Sequence, residues 1–206
     1  QTENASLSFW VDSINPLLAV LNPLGNIGYT NTNLFYLIAQ LTETNKGGYW
    51  GDGTPDSSSN YVYRKFIYPN GGSESSSYSL NSSNISDVSL SPSTLLEGNY
   101  LYIIYTRDKY PNGTTIREIN QTGVIIRDVT APTITDDYLF NGTWVNLNQI
   151  VTLTPLDLLS YIGDVKYCEG TLCDPSTGTI LISPYLLNYI VDQDTIVRYQ
   201  VWDLAT

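Results

Sequence analysis

The 206-residue chain contains no histidine, no methionine, only two cysteines, and only 14% charged residues. Each shortage excludes something. Without histidine, neither a Ser-His-Asp nor a Cys-His catalytic arrangement can form. Two cysteines without histidine cannot build a Cys/His zinc site. Nine basic against 20 acidic residues leave no electrostatic footprint for nucleic acid or an anionic membrane surface. No apolar run reaches the roughly 18 residues that a bilayer-spanning helix needs, so membrane insertion is not expected. The glycine-containing stretch at 25–28 and the Gly-Gly pairs at 47–48 and 71–72 lack the context of a phosphate-binding loop. The acidic pairs Asp136/Asp137 and Asp192/Asp194 read as turn residues rather than as the two acids of a glycosidase. The sequence therefore predicts no enzyme, no cofactor and no metal.

Serine, threonine, asparagine and tyrosine take the surface positions that charge leaves. Among 18 asparagines, six lie in Asn-x-Ser/Thr acceptor sequences: Asn4, Asn81, Asn84, Asn112, Asn120 and Asn141. Six such sites point to an N-glycosylated extracellular protein, whose sugars supply the solvation that few charges provide. The segment "YCEGTLCDPSTG" places Cys168 and Cys173 close enough for a short-loop disulfide, which fits an oxidising exterior. The first residue is Gln1 and no basic-then-apolar leader follows it, so the expectation is a mature, secreted chain whose signal peptide has been removed.

Period-two apolar runs rich in Tyr, Ile, Val and Leu recur between Gly/Pro/Asn/Ser clusters, the pattern of an all-β protein. Strands are predicted near 7–14, 17–21, 34–43, 61–68, 76–80, 99–107 and 122–129. A second set follows near 133–139, 150–154, 163–168, 179–182, 188–191 and 195–203. One stretch, "PLDLLSY" (155–161), has local helical character. Pro132, inside "RDVTAPTITDD", lacks an amide donor and marks a hinge between the two sets. The expected organisation is a tail over 1–16, a first β-sandwich over 17–130 and a second over 131–206. "VTAPTI", "NGTWVN", "VTLTPLD" and "TIVRYQVWD" resemble tandem bacterial and archaeal immunoglobulin-like surface domains, which implies two immunoglobulin-like sandwiches.

The two sets differ at their ends. "YIIYTRD" (102–108) leads through a Pro-Asn-Gly turn region into another strand, whereas "VRYQVWD" (197–203) is followed by three residues only. Read as a sandwich, 131–206 lacks its last strand, and an unpaired edge is sticky unless something pairs with it. The tail offers a donor. In "ASLSFWVDSINP" (5–16), Leu7, Phe9 and Val11 alternate with Ser8, Trp10 and Asp12, ahead of Asn15-Pro16, which breaks the run from the next strand. Burying the three apolar side chains is worth about 1.5–3 kcal/mol each, roughly 5–9 kcal/mol gross, before the cost of ordering the tail. A donor at one end and an acceptor at the other make a head-to-tail contact that propagates as a homopolymer of identical subunits.

This architecture resembles the archaeal thread filament subunits. The resemblance implies donor-strand complementation in a glycosylated extracellular filament, with N-linked glycans as its modification. Surface filaments of this kind also carry isopeptide cross-links, for which Lys65 and Lys166 are the candidates because both lie inside predicted strands. Other readings stay open at this stage. The tail can be the first strand of its own domain. The chain can also be a module of an S-layer, adhesion or carbohydrate-binding glycoprotein, its 17 tyrosines offering stacking faces for sugars.

Overall fold

A computed structural model describes residues 17–42, 49–50, 54–55, 61–79, 85–91, 96–109, 115–143, 147–189 and 195–205. The tail, with Leu7, Phe9 and Val11, lies outside these residues. The described chain is all-β, its only helices single 3-10 turns at Leu24–Asn26 and Pro175–Thr177. No helix among the described residues is long and apolar enough to cross a membrane. Two compact units divide the chain. The first comprises described residues up to Gly28 and Thr32–Ile125, and the second Tyr29–Asn31 with the residues from Ile126 onward. The division thus falls between Ile125 and Ile126, a few residues before the expected break at 130/131.

The first unit holds β1 (Leu17–Asn22), β2 (Ile27–Thr30), β3 (Ile38–Thr42), β4 (Tyr49–Trp50), β5 (Thr54–Pro55), β6 (Tyr61–Ile67), β7 (Ser73–Ser79), β8 (Ile85–Asp87), β9 (Gly98–Lys109) and β10 (Thr115–Arg127). The ends of β2 and β10 reach the residues counted with the second unit. One sheet runs β1-β3-β8, and β1 pairs antiparallel with β3 from Leu17↔Thr42 onward. The first described strand of this unit thus begins at Leu17. The other sheet places β10 between β2 and β9, while β6 and β4 pair along the opposite side of β9. β9 shows why: Tyr100, Tyr102, Ile104 and Thr106 are buried and alternate with exposed or half-buried neighbours. That period of two points one row at the other sheet. Tyr102 and Phe66 from this sheet meet Leu18 and Leu41 from the other in one core of 13 buried apolar residues.

Two positions in this core are tightly constrained. Phe35 sets its ring edge-on to Tyr100 with centroids 4.5 Å apart. On β10, Gly123 lies so close to β9 that a Cβ there would stand 2.2 Å from Tyr102 Oη and 2.3 Å from the Asn26 carbonyl oxygen. No side chain other than hydrogen fits.

The second unit holds β11 (Thr133–Asp136), β12 (Gln149–Leu156), β13 (Ile162–Glu169), β14 (Thr179–Leu181), β15 (Leu186–Tyr189) and β16 (Val197–Asp203). These form two three-stranded antiparallel sheets, β11-β12-β15 and β14-β13-β16. Leu153 and Leu187 from the first meet Val165 and Val201 from the second, so this unit too is a sandwich. The helical expectation for 155–161 is corrected: Pro155 and Leu156 complete β12, and the chain then bends at 158–160. Asp157 explains the misreading. Its Oδ1 accepts the amides of Leu159 and Ser160, both at 2.8 Å, which imitates a helix N-cap without a helix following.

Candidate functional site

β16 is the strand on which the sequence argument turned, and it alternates as expected. Val201 and Asp203 are buried and Val197 and Tyr199 half-buried, while Arg198 and Gln200 face out. On one side β16 pairs with β13, through Glu169↔Val197, Tyr167↔Tyr199 and Val165↔Val201 to Ile162↔Asp203, with an irregularity between Ile162 and Val165. On the other side no strand pairs with it among the described residues. In an antiparallel strand roughly every other residue turns its N–H and C=O to each side, so the outer edge of β16 presents a row of backbone groups without ladder partners.

The core behind that edge is thin. Among the described residues it has four buried apolar residues against 13 in the first unit, and nine more apolar side chains around it are only partly covered. Val197 and Tyr199 are among the nine. The inward row of β16 shares its core with β12 and β15, and among the described residues no further strand flanks it. β11 reaches towards β16: Tyr199 Oη donates to Asp136 Oδ2. Burial, and then this carboxylate, push the Tyr199 phenol up to about 12.

The ends of β16 are pinned. At its start, Cys168 pairs in register with Arg198 and is bonded to Cys173, with Cα atoms 6.0 Å apart. Arg198 donates to the Thr171 carbonyl at 2.6 Å, closing the same loop. At its end an open cleft of about 420 Å³ is lined by Gly163, Asp164, Lys166, Trp202, Asp203 and Leu204, together with Ser176.

Of the other residues singled out from the sequence, Asn4, Asn81, Asn84 and Asn112 lie outside the described residues, while Asn120 and Asn141 are exposed, as a glycan acceptor must be. Lys166 Nζ sits 3.7 Å from Asp164 Oδ2 and 5.1 Å above the Trp202 ring. The Asp164 carboxylate and the Trp202 ring are therefore its nearest partners among the described residues, and neither is an Asn side chain. Lys65, half-buried on β6, has Ser75 and Ile103 as its register neighbours. The acidic pair at 136–137 is engaged locally: Asp137 Oδ1 accepts the Thr152 amide at 2.7 Å, a bond that holds its carboxyl below the usual range. The pair at 192 and 194 lies outside the described residues.

Sequence reasoning missed a different group. Asp128, Asp157 and Asp203 each bring a carboxylate oxygen to within 4.8 Å of the others. They are far apart in the chain and no spacing motif announces them.

The chain matches no family model and no curated protein. Solved structures similar to it include the fibronectin(III)-like modules of Clostridium thermocellum CbhA, at 14% identity and TM-score 0.43, covering 92% of this chain and 87% of that one. A tetra-tandem repeat from the extending region of a large adhesion protein is similar at 14% identity and TM-score 0.35, covering 93% and 41%. The chicken CNTN1 FN1–FN3 domains are similar at 12% identity and TM-score 0.39, covering 91% and 61%. The immunoglobulin-like sandwich assignment rests on the sheets and cores described above.

Proposed function

We propose that this chain is the structural subunit of an extracellular cell-surface filament, assembled head-to-tail when the N-terminal segment of one copy pairs with β16 of the next. One observation supports the reading: among the described residues β16 is an edge strand with an unpaired side, set over four buried apolar residues. An edge of that kind in an isolated protein invites uncontrolled pairing. Filling it with a dedicated strand removes the hazard and supplies cohesion. Residues 5–12 suit the task, because Leu7, Phe9 and Val11 stand at every second position and would share one face of a paired strand. Among the described residues β1 pairs with β3, beginning at Leu17, after the tail. The exposed acceptor sites Asn120 and Asn141 are consistent with a glycosylated filament surface.

A second reading is a module of a longer adhesion or S-layer glycoprotein, in which a segment following Thr206 covers β16 just as β10 covers β9. The intact mass of the natural protein, before and after deglycosylation, separates the two. A mass ending at Thr206 plus glycans favours the filament, and a longer chain favours the module. Deleting residues 1–14 tests the mechanism. The shortened chain is expected to give no filaments by electron microscopy, and filaments indistinguishable from the parent's would rule strand donation out.

A further inference from the structure

The connection from β11 to β12 carries an apolar run where solvent reaches it. Tyr138, Leu139 and Phe140 follow one another, Tyr138 half-buried, Leu139 88% exposed and Phe140 47% exposed. Single exposed apolar residues need no explanation, but a consecutive run in a turn is disfavoured unless something covers it. The Phe140 ring is held in place. It stands edge-on to the Tyr138 ring with centroids 6.1 Å apart, and the Tyr138 amide donates to Asp136 Oδ1 at 3.0 Å.

A second observation lies in the residues that follow. Phe140, Asn141, Gly142 and Thr143 form a β-turn, closed by the Thr143 amide, which donates to the Phe140 carbonyl at 2.9 Å. Gly142 has φ +76°, which the third position of a type II turn requires. The Thr143 hydroxyl donates to the same carbonyl at 2.6 Å. Asn141, Gly142 and Thr143 are all exposed, and a Cβ at Gly142 would meet nothing within 4 Å. Asn141, Gly142 and Thr143 also make up one of the N-glycosylation acceptor sequences. The turn thus offers an acceptor asparagine in open space, one residue after an exposed aromatic ring.

We propose that Asn141 carries an N-linked glycan whose first sugar ring packs on the Phe140 side chain and covers this turn. The chemistry of the two partners fits. One face of a pyranose ring presents C–H bonds, and the face of a phenyl ring carries the negative part of its quadrupole. Their contact also removes apolar area from water. Adjacent Cα atoms stand about 3.8 Å apart, which puts the Phe140 ring within reach of a sugar on Asn141. Attachment is glycosyl transfer from a lipid-linked saccharide phosphate. The Asn141 Nδ2–C1 bond forms, the C1–O bond to phosphate breaks, the phosphate leaves with the electron pair, and the amide nitrogen loses one proton. Asn120 differs, lying inside β10 between Ile119 and Gln121 with no aromatic neighbour in the chain. A glycan there only solvates, whereas the one at Asn141 belongs to the packing of the second unit. This inference rests on the extracellular, glycosylated reading proposed above and not on strand donation.

The test uses the glycoprotein from its natural source and full-length variants produced in the same cells. Glycopeptide mass spectrometry should find Asn141 occupied in most chains. An unmodified Asn141 beside occupied sites elsewhere would overturn this inference alone, and a chain with no N-glycan anywhere would take the glycosylated reading down with it. Asn141→Gln should lower the melting midpoint of the second unit by roughly 4 °C, and Asn120→Gln should leave that midpoint unchanged. The decisive readout is the coupling. With Phe140→Ala already present, Asn141→Gln should cost less than about 1 °C, because the glycan has no ring left to cover. Equal losses with and without the Phe140 ring would mean a glycan that only solvates, and would overturn the proposal. Should Phe140→Ala not take up the glycan, the parent trimmed to its first sugar carries the test. It should keep the full midpoint, and a loss as large as that of Asn141→Gln would overturn the packing.

Discussion

The two units are built by one rule and finished to different degrees. In the first, β9 is paired on both sides, by β10 on one and by β6 and β4 on the other, over a core of 13 buried apolar residues. In the second, among the described residues, β16 has the same alternation but is paired on one side only, over four. The lesson is that strand-forming sequence and strand pairing are separate requirements. β16 meets the first, and among the described residues it meets the second on one side. Hydrophobic stabilisation scales with buried area, so the second unit is the weaker one until its edge is covered.

The largest test of that contrast compares matched truncations. Leu41→Ala in the first unit and Leu187→Ala in the second both remove a buried leucine. Such changes cost about 2–5 kcal/mol, with the larger value where the surroundings cannot relax. Leu41→Ala is expected near the top of that range and Leu187→Ala near the bottom, read by chemical denaturation of each unit's transition. Equal losses would mean that the second core is as well packed as the first. Next in size is Gly123→Ala. A methyl group there meets Tyr102 Oη and the Asn26 carbonyl, so it should destabilise the first unit by about 3 kcal/mol and leave the second transition in place.

The disulfide tests the opposite unit. Cys168–Cys173 closes a loop of a few residues at the start of β16, and the chain-entropy relation gives about 2 kcal/mol for a loop that short. Reduction should lower only the second unit's transition by about that much. The smallest effect is expected at high pH. Tyr199 in the second unit and Tyr68 in the first are both pushed up to about 12, each by burial first and then by a carboxylate, Asp136 and Glu74. An unfolded tyrosine ionises near pH 10, so the contribution of each is intact below that and is lost as pH rises towards about 12. Melting each unit across this window should show both declining, and Tyr199→Phe should flatten the decline in the second unit alone.

The strands with long alternation were legible in the sequence. Residues 99–107 and 195–203 correspond to β9 and β16 because tyrosine, isoleucine and valine recur there at every second position. β2, β4, β5 and β8, of two to four residues, were not foreseen, because such short pieces set among Gly, Pro, Asn and Ser show little period. The equally short β11, β14 and β15 lie within or overlap apolar runs that were predicted as strands. Phe35 lies in a predicted strand, yet only an isolated bridge to Leu90 forms there, the ladder of β3 starting at Ile38. The stretch at 155–161 misled because proline, aspartate and leucines are also how helices begin. The acidic cluster was invisible for a topological reason: β10, β12 and β16 bring Asp128, Asp157 and Asp203 together only once both sheets have formed.

Hydrogen exchange on β16 tests the central claim most directly. In the chain lacking residues 1–14, the β16 amides that do not face β13 should exchange quickly. Adding a peptide of residues 5–15 should slow them strongly while the amides of β9 stay unchanged, and a peptide carrying Phe9→Asp should have no such effect. If those β16 amides are already protected without the peptide, or remain fast with it, the acceptor edge is not where this account places it.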